Sequence, residues 1–197
     1  MTRCYLPNFD FEHHLAAPGR ALPKRLSELN ESLAPAWLAI AEPGDAILTT
    51  AEWSQEWRAR LAPLGLDTII LAPSITTIPR AELIPWGWTE NLLAAAGRDD
   101  LPTIACVRWA NSRRRSAAWE AAWGIAPEGA VAADSVSAAE AAIAHLDPTR
   151  GWVIKAEFGM SARERILGRG PLWAESRAWV ERRVANGGLV FVEPWLD

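Results

Sequence analysis

A single lysine interrupts the apolar run WVIKAE, and a loop containing glycine, serine and arginine follows it. The residue alternation of a strand places Lys155 on one face together with Val153. An unpaired charge in a sheet is costly, so Lys155 needs a counter-charge. Glu157 or another acid could supply it. A bound phosphate could also supply it, because the loop offers backbone N–H groups, a hydroxyl and a guanidinium as donors.

Three consecutive arginines, Arg113, Arg114 and Arg115, follow the Asn-Ser pair that is expected to cap a helix. The helix dipole disfavours cations in the first turn by about 0.3–1 kcal/mol each. A solvated surface would accommodate them. An anion docked among the arginines and the helix amides would also explain them. Both interpretations stay open at this point.

Glu193 stands near the end of the apolar run LVFVEP, two residues after Phe191. The end of a strand is a common place for adenine to stack, with backbone groups and an acid at its edge. An ordinary turn that ends the strand at Pro194 is the alternative.

The first half of the chain predicts an α/β layer. Apolar strands are predicted at 46–50, 67–72 and 102–109, with helices between them, whereas the start of the chain and residues 73–88 are predicted to be irregular. Unbroken apolar strands separated by helices predict a parallel sheet covered on both faces. Neither G-x-G-x-x-G nor G-x-x-x-x-G-K-[ST] occurs, so this Rossmann-like layer has no phosphate-loop signature of its own.

The second half predicts a mixture of helices and hairpin strands. Helices are predicted over NSRRRSAAWEAAWG, SAAEAAIAHL and GPLWAESRAWVERRV, and WVIKAE and ERIL form a hairpin. Capping boxes are predicted at Thr49–Glu52 and at Ser137–Glu140. Helical spacing predicts that Trp119 and Trp123 belong to a core, and Cys106 is predicted to be a core residue of a strand.

The segments NSRRR, WVIKAEFGMSARERILGRG and LVFVEPWLD together resemble the ATP-grasp family. The resemblance implies that residues 1–108 form a pre-ATP-grasp-like α/β domain. It also implies that residues 109–197 form the α+β nucleotide-binding lobe, which ends at the hinge between the two lobes of the ATP-grasp fold. The second lobe of the fold is then expected beyond the end of this sequence.

The resemblance also implies which residues meet ATP. The family usually has a lysine near the start of the first helix, where this chain has Arg113 or Arg114. Magnesium ligands are expected in the second lobe, so no metal ligand and no catalytic residue is assigned here. The implied contacts are Lys155 and Arg113 with the phosphates, Gly159, Ser161, Ala162 and Arg163 in the loop that covers them, and Glu193 and Leu196 with adenine and ribose.

The implied activity is that of an ATP-dependent ligase. ATP activates a carboxylate as an acyl phosphate, and an amine, thiol or similar nucleophile then attacks it, with magnesium neutralising the phosphates. The carboxylate and the nucleophile are unknown, and this chain is expected to be incomplete and inactive alone. The alternative is a non-catalytic α/β module that meets a protein partner through a Trp-rich surface including Trp86, Trp88 and Trp195.

Composition excludes several other classes. The 197 residues carry a formal net charge of −4 and a pI of about 5.5, which gives no basic surface for nucleic acid or anionic membrane. No apolar run is long enough to span a bilayer. Acids occupy the N-terminal region where a signal peptide is apolar, and Cys4 and Cys106 make no disulfide framework. We therefore expect a cytoplasmic protein, and no Cys or His spacing predicts a metal site.

Overall fold

The computed structural model describes residues 2–19, 21, 23–159 and 164–195. It divides the chain into two compact units, Met1–Ile104 (unit 1) and Ala105–Asp197 (unit 2). The predicted domain boundary, between residues 108 and 109, lies a few residues after the boundary between these two units and falls inside a helix.

Unit 1 is built on a parallel four-stranded sheet in the order β3-β2-β1-β4. Its strands are β1 (Arg3–Leu6), β2 (Ala46–Leu48), β3 (Ile70–Ala72) and β4 (Glu82–Pro85). Its helices are α1 (Phe11–Ala16), α2 (Lys24–Leu33), α3 (Gln55–Leu61) and α4 (Glu90–Ala96), and short 3₁₀ turns lie at Ala34–Ala39, Ala62–Leu64, Leu66–Thr68 and Ile75–Thr77.

Both faces of this sheet are covered, as the sequence predicts. Side chains alternate along β1, so Tyr5 packs with Ile47 in one core, whereas Cys4 packs with Ala46 in another. All four are buried. Burial raises the pKa of the Cys4 thiol to about 11.

Three expectations for this part of the chain are wrong. Strands β1 and β4 occupy segments that were expected to be irregular. The predicted strand at 102–109 is mostly a helix, α5 (Ile104–Asn111), and Cys106 is exposed on it. A short apolar run does not distinguish a strand from a helix, and the spacing of Ile104 and Val107 suits one helical face. The N-terminal cap of α3 is Ser54, whose hydroxyl accepts from the Trp57 N–H, so the predicted Thr49–Glu52 capping box does not form.

Unit 2 contains an antiparallel sheet in the order β5-β8-β6-β7. Its strands are β5 (Val131–Ala133), β6 (Trp152–Ala156), β7 (Arg165–Gly168) and β8 (Val190–Pro194). Its further helices are α6 (Arg113–Ala122), α7 (Val136–His145) and α8 (Ala174–Val184), with a 3₁₀ turn at Ala185–Gly187. Within the described ranges, no helix combines the length and the apolar character that crossing a bilayer requires.

The core of unit 2 lies on one face of this sheet. Ile154 and Val192 pack there against Ala139 of α7 and Val180 of α8, and all four are buried. Strand alternation therefore places Lys155 and its neighbours on the opposite face, which we call the Lys155 face.

Two predictions for the helices of unit 2 are wrong in detail. Ser135 caps α7 by accepting from the Ala138 N–H, so the Ser137–Glu140 capping box does not form. The side chains of Trp119 and Trp123 are 37% and 68% exposed, so they do not belong to the core. Helix α6 has a weakly amphipathic sequence, and the spacing of its tryptophans alone did not decide which face is buried.

Candidate functional site

Lys155 lies near the end of β6, directly opposite Phe191 of β8 and Arg165 of β7. The antiparallel register places Glu193 opposite Val153, one diagonal step from Lys155 on the same face. Diagonal positions are within reach of long side chains, so this register brings the ammonium and the carboxylate together.

Glu193 is the acid that meets Lys155. The Lys155 Nζ donates a hydrogen bond to Glu193 Oε2, and the other carboxylate oxygen lies 3.8 Å from Arg113 Nη1. The side chain of Lys155 is 25% exposed and that of Glu193 is 14% exposed. Three residues that the sequence selected, from one helix and two strands, therefore share one site with one positive charge in excess.

Glu157, the first acid considered for Lys155, pairs with the start of α6 instead. Its Oε1 accepts from the Ser112 hydroxyl (2.5 Å) and lies 3.7 Å from Arg114 Nε. Ser112 also caps α6 by accepting from the Arg114 N–H (3.1 Å), and the Glu157 carbonyl accepts from the Arg113 N–H (3.1 Å). This network fixes the first turn of α6 against the end of β6.

The three arginines of α6 have three different environments. Arg113 faces Glu193, and Arg114 faces Glu157. The Arg115 guanidinium carbon lies 4.4 Å and 4.2 Å from the ring centroids of Trp109 and Trp119. Protein side chains therefore meet all three, and only Arg113 joins the Lys155 site.

The loop after β6 is closed at its base. The Ala156 N–H donates to the Glu164 carbonyl (2.9 Å), and the Glu164 carboxylate accepts from Arg183 of α8. A Cβ at Gly159 would lie 2.6 Å from the Cβ of Glu164, so this close approach requires a glycine. The predicted contacts Ser161, Ala162 and Arg163 in this loop, and Leu196 after β8, lie outside the described residues.

Two residues that support the site, Glu164 and Arg183, were not found from the sequence. They are 19 residues apart, and their pairing depends on how α8 packs beside the hairpin. No local spacing carries that information. Lys155, by contrast, can be selected from the sequence because it is a charged residue inside an apolar run.

The arrangement is suited to holding a polyanion. Lysine and arginine lie beside each other, and Arg165 adds a guanidinium on the same face, 5.3 Å from the Trp195 ring centroid. Among the described residues, no group of three or more His, Cys, Asp or Glu side chains could hold a metal ion.

The tryptophans named for a protein-binding surface do not support that alternative. Trp86 is 57% exposed in unit 1, whereas Trp88 is only partly exposed. Trp195 belongs to unit 2, where it is also only partly exposed and continues the sheet by donating its N–H to the Gly151 carbonyl (2.8 Å).

Comparison with known proteins gives a structural likeness only. No family model and no curated protein matches the sequence. The solved structure of D-cycloserine synthetase DcsG is similar over the whole chain, with 16% sequence identity and a TM-score of 0.43. The chain spans 60% of the length of that protein. At this identity and TM-score, the likeness carries neither a family nor an activity over to this chain.

Proposed function

We propose that unit 2 binds the phosphates of ATP at the Lys155 face and serves as the nucleotide-binding part of an ATP-grasp-like ligase. The observation that supports this most directly is the convergence of Lys155 and Arg113 on Glu193. The two cations are the groups that the family resemblance assigns to phosphate, and the acid is the group it assigns to the nucleoside.

The ion pairs of this site are suited to exchange with a ligand. A pair at a mostly buried position contributes little net stability, because the cost of removing the two charges from water offsets much of their attraction. A triphosphate carries more negative charge than one carboxylate and competes well for the same cations. Lys155 and Arg113 would then hold phosphate oxygens, and Glu193 would be freed to accept hydrogen bonds from ribose hydroxyls.

The loop after β6 fits a cover for the phosphates. Its base is held by the bond between Ala156 and Glu164 and by the ion pair between Glu164 and Arg183. Ser161 and Arg163 remain predictions in this role, and their hydroxyl and guanidinium are suitable donors. Gly159 gives the backbone a close approach that a side chain would block.

The proposed reaction is the transfer of the terminal phosphoryl group of ATP to a carboxylate, which gives an acyl phosphate and releases ADP. An amine or thiol then attacks the acyl carbon and releases inorganic phosphate. ATP would supply the phosphoryl group, and Mg²⁺ would accompany the nucleotide. The described residues of this chain would bind and orient the nucleotide, and no metal ligand is assigned among them. A reducing location such as the cytoplasm agrees with two cysteines that form no disulfide.

Competitive lysine labelling tests where the nucleotide binds. The sequence contains only two lysines, Lys24 and Lys155, and Lys24 lies exposed on α2 beside Glu28. We expect MgATP to slow the acetylation of Lys155 and to leave that of Lys24 unchanged, as read by mass spectrometry. Equal labelling of Lys155 with and without MgATP would overturn the proposal.

The matched variants Lys155→Ala and Lys24→Ala provide the affinity test. We expect Lys155→Ala to weaken MgATP binding by about tenfold or more, because a charge-assisted hydrogen bond is lost. Lys24→Ala is expected to bind as the wild type does. Calorimetry measures the affinities, and circular dichroism checks that both variants are folded. If a folded Lys155→Ala protein bound MgATP like the wild type, the assignment of this lysine would be wrong.

A further inference from the structure

Unit 1 contains a cavity of about 440 Å³, a volume typical of small-molecule sites. It lies between the turn before β4 and the C-terminal end of α4. Its wall combines apolar and charged side chains. The apolar ones include Ile75, Ile78, Leu83 and Trp88, and the charged ones are Arg80, Glu82 and Arg98.

Arg80 is the cation that remains available in this cavity. Arg98 is already neutralised, because its guanidinium bonds Glu82 (3.1 Å) and Asp100 (2.9 and 2.6 Å). Arg80 is exposed, and no carboxylate of the described residues lies within ion-pair distance of it. The two arginines and the two acids together carry no net charge, but Arg80 is the cation that no carboxylate of the described residues meets.

The backbone at Arg80 shows that an arginine is disfavoured there. The Ala81 N–H donates to the Ile78 carbonyl (3.3 Å) and closes a turn with Pro79 at its second position. Arg80, at the third position, has a φ of 69°. A positive φ at this position is the feature of a type II turn, which normally takes glycine or asparagine. A strained non-glycine residue that lines a cavity points to a role for its side chain.

We propose that this cavity binds an organic acid with an apolar body. The carboxylate of the ligand pairs with Arg80, and the apolar body packs against Ile78, Leu83 and Trp88. The site lies wholly within unit 1, and the proposal does not depend on nucleotide binding by unit 2.

A charged probe and its neutral counterpart test the chemistry of the site. We use 4-phenylbutyrate and 4-phenylbutyramide with the full ¹⁵N-labelled chain and follow the amide resonances of Thr76, Leu83 and Ala95 by NMR. The acid is expected to shift these resonances and to bind about five- to tenfold more tightly than the amide, since only the acid pairs with a cation. Equal affinities, or no shift with millimolar acid, would overturn the proposal.

The variant Arg80→Gly separates binding from stability. Glycine suits the positive φ, so we expect the midpoint of thermal unfolding to rise by about 2–4 °C. The preference for the acid is expected to disappear. Arg25→Gln is the control, because Arg25 is an exposed cation of α2 outside the cavity and its loss should leave the preference intact. An Arg80→Gly protein that keeps the preference, or that unfolds at a lower temperature than the wild type, would contradict the inference.

Discussion

Glu193 pairs with both Lys155 and Arg113 on the Lys155 face. Its negative charge therefore decides whether the two cations can bind another anion. The carboxylate is mostly buried, and its removal would take away the acid that the described residues place within ion-pair distance of both cations. An inorganic anion could then take its place. Replacement of the carboxylate by an inorganic anion is expected at an anion-binding site and is not expected at a purely structural ion pair.

Glu193→Gln is expected to lower the free energy of unfolding by about 1–2 kcal/mol, because an ion pair at a mostly buried position loses one partner. Inorganic tripolyphosphate is then expected to raise the unfolding temperature of the variant more than that of the wild type. Thermal unfolding with and without tripolyphosphate measures both effects.

Glu140→Gln is the control for this experiment, because Glu140 pairs with Arg177 between α7 and α8, on the core side of the sheet. It should respond to tripolyphosphate as the wild type does. If Glu193→Gln responded no more strongly than Glu140→Gln, the two cations freed by its loss would not form an anion site.

Helix α6 is positioned by its N-terminal cap, the residue just before its first turn. Ser112 caps the helix and also bonds Glu157, which follows β6 directly. One hydroxyl therefore ties the helix that carries Arg113 to the strand that carries Lys155. The distance between the two cations depends on this connection.

Ser112→Ala is expected to cost about 1–2 kcal/mol of unfolding free energy, since a cap and a bond to a carboxylate are both lost. Ser135→Ala removes the cap of α7 without involving an acid, and about 1 kcal/mol is expected for it. Urea unfolding of the two variants measures the difference. Equal costs would mean that the bond to Glu157 adds no stability.

The sequence predicted those elements whose patterns are local. Strands β2, β3, β6 and β8 are apolar runs, and the helices α2, α6 and α8 have clear periodicity or caps. Strands β1 and β4 were missed because RCYL and ELIP are short and each begins with a charged residue. Only pairing with neighbouring strands fixes them. For the same reason, the pairing of Lys155 with Glu193 rather than Glu157 follows from the strand register and not from distance along the chain.

Two carboxylates of unit 1, Asp45 and Glu31, accept several hydrogen bonds that lower their pKa. In unit 1, Asp45 is buried, and it accepts from the backbone N–H groups of Glu42 and Arg3 and pairs with the Arg3 guanidinium (2.8 Å). Burial opposes its ionisation, but these donors outweigh burial and hold the pKa of Asp45 below its usual value. Burial also raises the pKa of Glu31, but hydrogen bonds from Thr49 and Thr50 lower it by more, so the net pKa of Glu31 lies below its usual value as well.

Acid is therefore expected to destabilise unit 1. A carboxyl with a lowered pKa in the folded state contributes stability above its unfolded pKa, near 4, and loses that contribution as the pH falls through the folded pKa. Asp45→Asn should lower stability at pH 7 and reduce the slope of stability against pH below about 5. Urea unfolding followed by pulse proteolysis and mass spectrometry reports unit 1 separately from unit 2.

Asp99→Asn, at an exposed turn of the same unit, is the control and should leave the slope unchanged. A slope that is the same in Asp45→Asn and in the wild type would show that Asp45 is not a source of the acid sensitivity.

The strand order of unit 2 has a consequence for synthesis on the ribosome. Strand β8 lies between β5 and β6, although it is translated after both of them. The sheet of unit 1 has all its strands once Pro85 has emerged from the exit tunnel, whereas β5 has no partner until Val190–Val192 appear. Until then the nascent chain lacks Val190 and Val192, which pack beside Ile154, and the acid that pairs with Lys155. Nascent unit 2 is therefore expected to be exposed to chaperones and proteases for longer than nascent unit 1.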